Sequence, residues 1–288
     1  MRLFPYWVAA MGADAMLEGV DLPLRASDEC YRQAVLRLKE DRMTRGALVT
    51  SHKINIVRAA RDLIDQLTPE AQLCGEVSAL YKRGDAVWGH ACDPANCGYA
   101  MAHFLGADYW RRYPHAEILA FGAGGATVAM LVHLVIQARS RPGRIRLVDI
   151  RKESLDHCQH VLDQLCAAGL RVDLIHNADP HRNDSLVKDL PPHSLVINAT
   201  GVGKDLPGSP VTDAVRFPEE AAVWELNYRG RRRFLEQAYT QKESRNLIVE
   251  DGWHYFLHGW SSVMSLVFGI PMTPTLFEEF AVVSREAR

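Results

Sequence analysis

The chain runs to 288 residues, 48% of them apolar and 24% charged, with 20 glycines and 14 prolines. That excludes a disordered or fibrous chain and leaves length for two domains, or one large one, with a core of its own. Thirty-three basic side chains face 35 acidic ones, and the formal net charge of −2 carries no basic excess of the kind that marks a nucleic-acid binder.

The one basic run, Arg231-Arg232-Arg233, lies between Glu225 and Glu236 and reads as a solvated helix start. No stretch reaches about 18 consecutive apolar residues, so no membrane-spanning helix is expected. Met1-Arg2-Leu3-Phe4-Pro5 lacks the apolar region of a signal peptide. The expected location is the cytoplasm, where Cys30, Cys74, Cys92, Cys97, Cys158 and Cys166 stay as thiols and form no disulfide framework.

In chain order, the first 20 residues give no decisive pattern: a lid, a dimer contact and a shortened first unit all remain open. Ser27 is placed to cap a helix whose apolar positions Tyr31, Ala34, Val35 and Leu38 share one face. A short strand, Gly46–Thr50, and a helix from about Ile54 to Gln66 follow. Val77–Tyr81 and Ala86–Gly89, joined by Lys82-Arg83-Gly84-Asp85, read as a β-hairpin.

The middle of the chain then alternates β-branched apolar runs with helical patterns. Strands are predicted at Glu117–Phe121, Arg144–Asp149, Arg171–His176, Ser194–Ala199, Ala222–Asn227 and Asn246–Glu250. Helices are predicted from Ala126 to about Arg139 and from Glu153 to Ala168, the second closed by Gly169. After Gly252 the chain is helical and apolar. The fold class is therefore α/β, in two domains with a cleft between them. Residues 1–103 form an N-terminal α/β substrate domain, to which the C-terminal helices of 251–288 return. Residues 104–250 form a doubly wound Rossmann domain.

Ile118-Leu119-Ala120-Phe121-Gly122-Ala123-Gly124-Gly125-Ala126-Thr127 follows a predicted strand and opens a predicted helix. In that context Gly122 allows a tight turn, and Gly124 lets backbone N–H groups approach a pyrophosphate at the positive helix end. Thr127 occupies the slot where the usual fingerprint has a third glycine or alanine. Asp149, about 20 residues past the turn and followed by Ile150, Arg151 and Lys152, is positioned to accept the adenine-ribose diol and repel a 2′-phosphate. It favours NAD over NADP. Arg151 and Lys152 pull the other way, and a plain strand-end carboxylate is the alternative.

At this point the chain resembles the shikimate/quinate dehydrogenases. Gly122-Ala123-Gly124-Gly125-Ala126 is similar to that family's phosphate loop, and Ile197-Asn198-Ala199-Thr200-Gly201 to its Ile-Asn-Ala-Thr-Pro segment beside the nicotinamide. Tyr228, in Trp224-Glu225-Leu226-Asn227-Tyr228, sits at its Asp-x-x-Tyr. Glu250-Asp251-Gly252 opens its return to the substrate domain. His52-Lys53 matches the end of its Thr-x-Pro-His-Lys motif, and Cys92-Asp93 its Asn-Thr-Asp. The resemblance implies an oxidoreductase with a Lys53/Asp93 catalytic pair. Hydride transfer from an alcohol needs a group that takes the hydroxyl proton or holds the developing alkoxide, and a lysine in a dry site serves. The chain has only seven lysines.

The substrate contacts of the family are mostly missing. No Ser-x-Ser pair occurs near the start, and where the family has Asn-Thr after its Gly-Ala-Val, this chain has Ser78-Ala79. Ala91 replaces the asparagine of Asn-Thr-Asp, Val49 and Ser51 replace the threonine and proline of Thr-x-Pro, and Gly259 replaces a glutamine. Losing those partners costs affinity and discrimination for a polyhydroxylated acid, so shikimate is not the expected substrate. Ser51, Ser78, Tyr228, Trp253 and His258 are the candidate substrate contacts. His52, His90, His254, Tyr255 and Trp260 complete an aromatic and imidazole-rich set that suits a flatter cyclic substrate.

His90-x-Cys92-Asp93 with Cys97 has metal-ligand residue types but no repeated ligand spacing, and no metal is expected. His133 reads as a core or interface histidine, and Val263–Phe268 as core packing. Trp253 and Trp260 fit core packing and site lining equally. The expected partner is a small-molecule substrate, without nucleic acid or membrane, and a homodimer is left open. Two other functions stay open: a methylene-tetrahydrofolate-type dehydrogenase, and a non-catalytic protein that senses a dinucleotide or metabolite.

Overall fold

A computed structural model describes residues 2–23, 26–167, 169–203 and 206–286. The chain folds as two compact units, Met1–Asp93 with Leu257–Arg288, and Pro94–Phe256. Among the described residues no helix is long and apolar enough to cross a membrane, and no disulfide joins the six cysteines.

The first unit opens with α1 (Phe4–Ala10), which carries Pro5 in its first turn. In α2 (Asp28–Glu40) the Ser27 hydroxyl accepts the Cys30 N–H as a cap, and Tyr31, Val35 and Leu38 are buried along one face. Then come β1 (Gly46–Leu48), α3 (Lys53–Ala60), β2 (Gln66–Leu67), α4 (Pro69–Cys74), β3 (Ala79–Arg83) and β4 (Ala86–His90). The four strands lie in the order β1-β3-β4-β2. The β3–β4 hairpin forms as the sequence suggests, with Gly84 taking the positive φ of the turn. The helix predicted to run to Gln66 ends at Ala60, followed by one 3-10 turn. Asp65 accepts the Val87 N–H and the Lys39 ammonium, which draws the chain into the sheet, and Ile64 and Leu67 point into the core. The apolar spacing there belongs to a strand edge. Reading it as a longer helix also hid α4.

The second unit contains α5 (Asp93–Leu105, whose first residue belongs to the first unit), α6 (Tyr109–Arg112), β5 (Glu117–Phe121), α7 (Gly125–Val132), β6 (Arg144–Asp149), α8 (Lys152–Gln164), β7 (Arg171–His176), α9 (Pro180–Lys188), β8 (Leu195–Asn198), β9 (Ala222–Glu225), α10 (Arg233–Tyr239) and β10 (Ile248–Glu250). The boundary expected at 103/104 thus falls inside α5. The sheet is parallel throughout, in the order β10-β9-β8-β5-β6-β7. That is the doubly wound order, with its switch point between β5 and β8. Ile118–Phe121 and Leu195–Asn198 are buried throughout, as strands covered on both faces must be.

Three local predictions are corrected. The helix expected to continue to Arg139 leaves α-geometry after Val132 and passes through a π turn, His133–Gln137. The helix expected to reach Ala168 stops at Gln164, and Ala168 itself lies outside the described residues. The stop is a Schellman motif: Cys166 takes φ +47°, its N–H bonds Asp163 C=O and the Ala167 N–H bonds Leu162 C=O. The basic run is not uniformly solvated either. Arg232 is largely buried, has φ +50° and bonds Asp251 through Nη1 at 2.7 Å.

The chain closes with α11 (Trp253–Phe268), which begins in the second unit and ends in the first, and α12 (Pro274–Glu286). Within the first unit Trp7 of α1, 1% exposed, stacks on Phe280 of α12, tilts against Trp260 and donates Nε1–H to Ser284 Oγ at 2.9 Å. The start of the chain is therefore a packed helix. An aromatic of that size fully buried with its N–H satisfied anchors the two chain ends together.

Candidate active site

In the first unit the centre is built on α3 and the start of α5. Lys53 is the first residue of α3, and the residue before it, His52, has φ +63°. That left-handed backbone is held on both sides of the ring: Nδ1 meets the Tyr31 hydroxyl at 3.0 Å, and Nε2 meets Leu22 C=O at 3.2 Å. A non-glycine residue at positive φ is costly and persists where its surroundings hold it. Here it turns the Lys53 side chain onto Asp93, with Lys53 Nζ donating to Asp93 Oδ2. Both side chains are largely buried.

The sequence singled out this pair but missed its neighbour, Glu76. Glu76 follows Gly75, which closes α4 at φ +61°. Its signal was a lone carboxylate at the entry to an apolar strand. Burial, the largest influence, lowers the Lys53 pKa, but the charges of Asp93 and Glu76 and the hydrogen bond donated to Asp93 outweigh it, so the ammonium is held above its ordinary value. Burial and then the charge of Asp93 push the Glu76 carboxyl up to about 7, against the pull of Lys53. Burial likewise pushes the Cys92 and Cys74 thiols to about 12. They are inert at neutral pH.

The other sequence candidates in this unit are distributed unevenly. Ser78 is buried, and its hydroxyl accepts the Cys92 N–H at 2.6 Å and donates to His90 C=O. It fixes the approach to Asp93. Ser51 is exposed. His258 stacks on Phe277 with centroids 4.1 Å apart. His90 bonds the Thr68 hydroxyl, and burial lowers its pKa. Among the described residues no group of three or more His, Cys, Asp or Glu side chains is arranged to hold a metal.

In the second unit the two loops at the switch point carry the predicted cofactor residues. Gly122 has φ +97°, and a Cβ there would lie 2.7 Å from Ala199 C=O, so glycine alone lets the β5 and β8 loops touch. Gly124 precedes α7, and a Cβ on it would meet nothing within 4 Å. The glycine loop therefore has the open approach that a pyrophosphate needs at a helix N-terminus. Thr127 is no defect in the pattern: it is buried, and its hydroxyl closes the loop on Gly122 C=O at 2.5 Å.

Asp149 Oδ2 accepts the Ala123 N–H at 2.7 Å and Oδ1 the Arg151 N–H at 2.8 Å. The carboxylate therefore holds the glycine loop as well as lying at its rim. Ile150 is exposed, and the exposed Arg151 guanidinium reaches to 3.7 Å of Asp149.

Asn198 is fully buried and works inside the scaffold. It donates to Glu225 Oε2 at 2.7 Å and to Val202 C=O, and accepts from the Thr200 N–H and hydroxyl. Asn227 donates to Glu225 Oε1 from both its backbone and its side chain. It also reaches Thr200 C=O. Glu225, which the sequence reading passed over, thus organises 198–201. Burial pushes its carboxyl to about 7, against its donors and Arg232. The signal was an acid between apolar residues in Ala222-Val223-Trp224-Glu225. Tyr228 and Trp253 both pack on Phe256, at 4.4 and 5.3 Å.

No family model matches the chain. Over 169 residues it is 27% identical to the shikimate dehydrogenase (NADP(+)) of Streptococcus thermophilus, a match covering 57% of this chain and 53% of that protein. Over 258 residues it is 28% identical to the shikimate dehydrogenase (NADP(+)) of Methylobacterium radiotolerans, covering 88% and 80%. The chain is a divergent relative of the shikimate dehydrogenases. It spans about half the length of the Streptococcus relative that it matches. Among solved structures, the fold is similar to that of a shikimate dehydrogenase in complex with NADP+, with TM-score 0.73 and 16% identity over 100% of this chain and 90% of that one. It is also similar to quinate dehydrogenase from Corynebacterium glutamicum in complex with NAD, with TM-score 0.67 and 16% identity over 98% and 94%. Within that common fold this chain has the Lys53–Asp93 pair, with Glu76 acting on its charge, and the glycine loop.

Proposed function

We propose that the chain is an NAD(P)-dependent dehydrogenase acting on the CH–OH group of a cyclic hydroxy acid or related alcohol other than shikimate. The observation that carries the reading is the buried Lys53–Asp93 ion pair, in a chain whose parallel sheet also presents a glycine loop with an open face at its switch point. The relatives named above support it, and so does the absence from this sequence of the family's serine pair and Asn-Thr contacts.

When bound, the dinucleotide supplies a nicotinamide that accepts or donates hydride. The chain does the rest. Gly122–Ala126 would hold the pyrophosphate through backbone N–H groups and the helix dipole. Asp149 would meet the adenine ribose, and its charge disfavours a 2′-phosphate, so NAD is the preferred form. Residues 198–201 would line the nicotinamide, kept in shape by Glu225. Lys53, held as an ammonium, stabilises negative charge on the substrate oxygen, and Asp93 orients both that ammonium and the hydroxyl.

The test is dinucleotide reduction on a panel of shikimate, quinate and less hydroxylated cyclic acids and alcohols, with Lys53→Ala in parallel. Turnover of a compound other than shikimate is expected, with a loss of about 100-fold or more in the variant. Dinucleotide affinity should stay within about twofold, since the lysine's part is in the chemistry. Affinity lost together with activity would assign Lys53 a structural role, and silence on the whole panel would overturn the reading.

A further inference from the structure

Glu76 is a group that the chemistry above leaves without a task. It is 6% exposed, and its Oε1 is buried with no hydrogen-bond partner. Two ties fix the segment beside the pair. The Val77 N–H donates to Lys53 C=O at 3.3 Å, and Ser78 Oγ accepts the N–H of Cys92, the residue before Asp93. The acid is not needed for the turn, which Gly75 makes. A buried carboxyl oxygen left without a hydrogen-bond partner costs stability.

We propose that Glu76 is the proton-holding third member of the Lys53–Asp93 centre. The inference rests on the dehydrogenase reading for the direction in which the proton moves. On oxidation of the alcohol, the C–H bond breaks to give hydride to an oxidised nicotinamide dinucleotide, and the O–H proton passes across the pair to Glu76, leaving the protonation of Lys53 and Asp93 as it was. The carbonyl forms, and Glu76 passes from carboxylate to carboxylic acid. Reduction runs the same steps backwards. Lys53 cannot be the resting place, because its ammonium is held above the ordinary value and keeps its own proton.

The titratable groups whose charges interact with that of Glu76 are Lys53 from α3, Asp93 at the start of α5, Cys74 at the end of α4 and Cys92 before α5. Both thiols are neutral at working pH. Glu76 is thus the member of the cluster whose carboxyl is poised near 7, where a proton acceptor and donor works in both directions. It acts through the pair, as a positioning residue for the proton.

Infrared difference spectra of the whole chain between pH 5 and 9 read the protonated carboxyl directly, whether or not a substrate is at hand. The expected result is a buried-carboxyl band that Glu76→Gln removes, with a midpoint near 7. Glu225→Gln assigns the other buried acid whose carboxyl is pushed up to about 7. Asp93→Asn should move the Glu76 midpoint down and Lys53→Met should move it up, each by about half a pH unit or more. If one of these two does not fold, the other decides. Glu76 ionised across the whole range, or a midpoint that neither variant moves, would overturn the proposal. A coupled titration in a chain that oxidises no alcohol would support Glu76 as a member of the centre and overturn the dehydrogenase reading alone.

Discussion

Replacing Glu76 by glutamine should stabilise the protein, and do so increasingly as the pH rises from 4.5 to 7. The carboxyl is buried, has no partner for Oε1, and moves from its ordinary 4.5 to about 7 in the fold. A carboxyl raised in this way is protonated in the native state and contributes its full stability below pH 4.5. That contribution is lost as the pH rises through 7, because the unfolded chain gives up its proton first. The difference corresponds to about 3 kcal/mol at pH 8. Glutamine keeps the shape and the neutral charge at every pH, so the two proteins should agree within about 1 kcal/mol at pH 4.5. The gap in favour of Glu76→Gln should then open as the pH rises to about 7 and level off above it. Urea denaturation of both proteins at half-unit steps of pH measures this. A difference that does not vary with pH, or a glutamine variant less stable at pH 8, would refute the argument that burial and Asp93 set the charge of this group.

Asp149→Ala should lower the affinity for NADH, because the Ala123 and Arg151 N–H groups lose their acceptor, and should narrow the gap to NADPH by removing a negative charge. Fluorescence titration with each dinucleotide reads both effects, with about 1–3 kcal/mol of binding at stake. Gly98→Ala should destabilise by about 1–3 kcal/mol although it improves helix propensity. Its Cβ would lie 2.0 Å from Cε1 of His133, and His133→Ala in the same chain should recover most of the loss in thermal unfolding. Trp7→Ala should cost about 3–5 kcal/mol by removing the stack on Phe280 and the bond to Ser284, measured by chemical denaturation.

The parallel sheet was legible because strands buried on both faces announce themselves as short apolar runs. Glu117–Phe121, Arg144–Asp149 and Arg171–His176 form as predicted, to the residue. Where tertiary contacts override local pattern, the reading failed. Asp65 turned a helix into a strand edge by accepting a long-range N–H, and Cys166 ended a helix at a residue with no special preference for positive φ. The packing of α1 depends on Phe280 and Ser284, more than 270 residues away, and no window along the chain contains that information. The Lys53–Asp93 pair was found through resemblance. Glu76 and Glu225 were not, because an acid inside an apolar run looks like a strand end until its burial is known.

The polar side chains of the second unit's loops are mostly spent on the loops themselves. Thr127 closes on Gly122, Asp149 on Ala123 and Arg151, and Asn198 on Thr200, Val202 and Glu225. What this leaves for a pyrophosphate is backbone: the N–H groups after Ala123 and the open side of Gly124. Recognition by backbone depends on shape and charge and tolerates sequence change, so a site of this kind can persist where only about a quarter of the aligned residues are identical, 27% over 169 residues in one relative. Recognition of a small hydroxylated substrate depends on individual side chains. Ser78, where the resemblance has an Asn-Thr pair, is the kind of exchange that would alter what is bound.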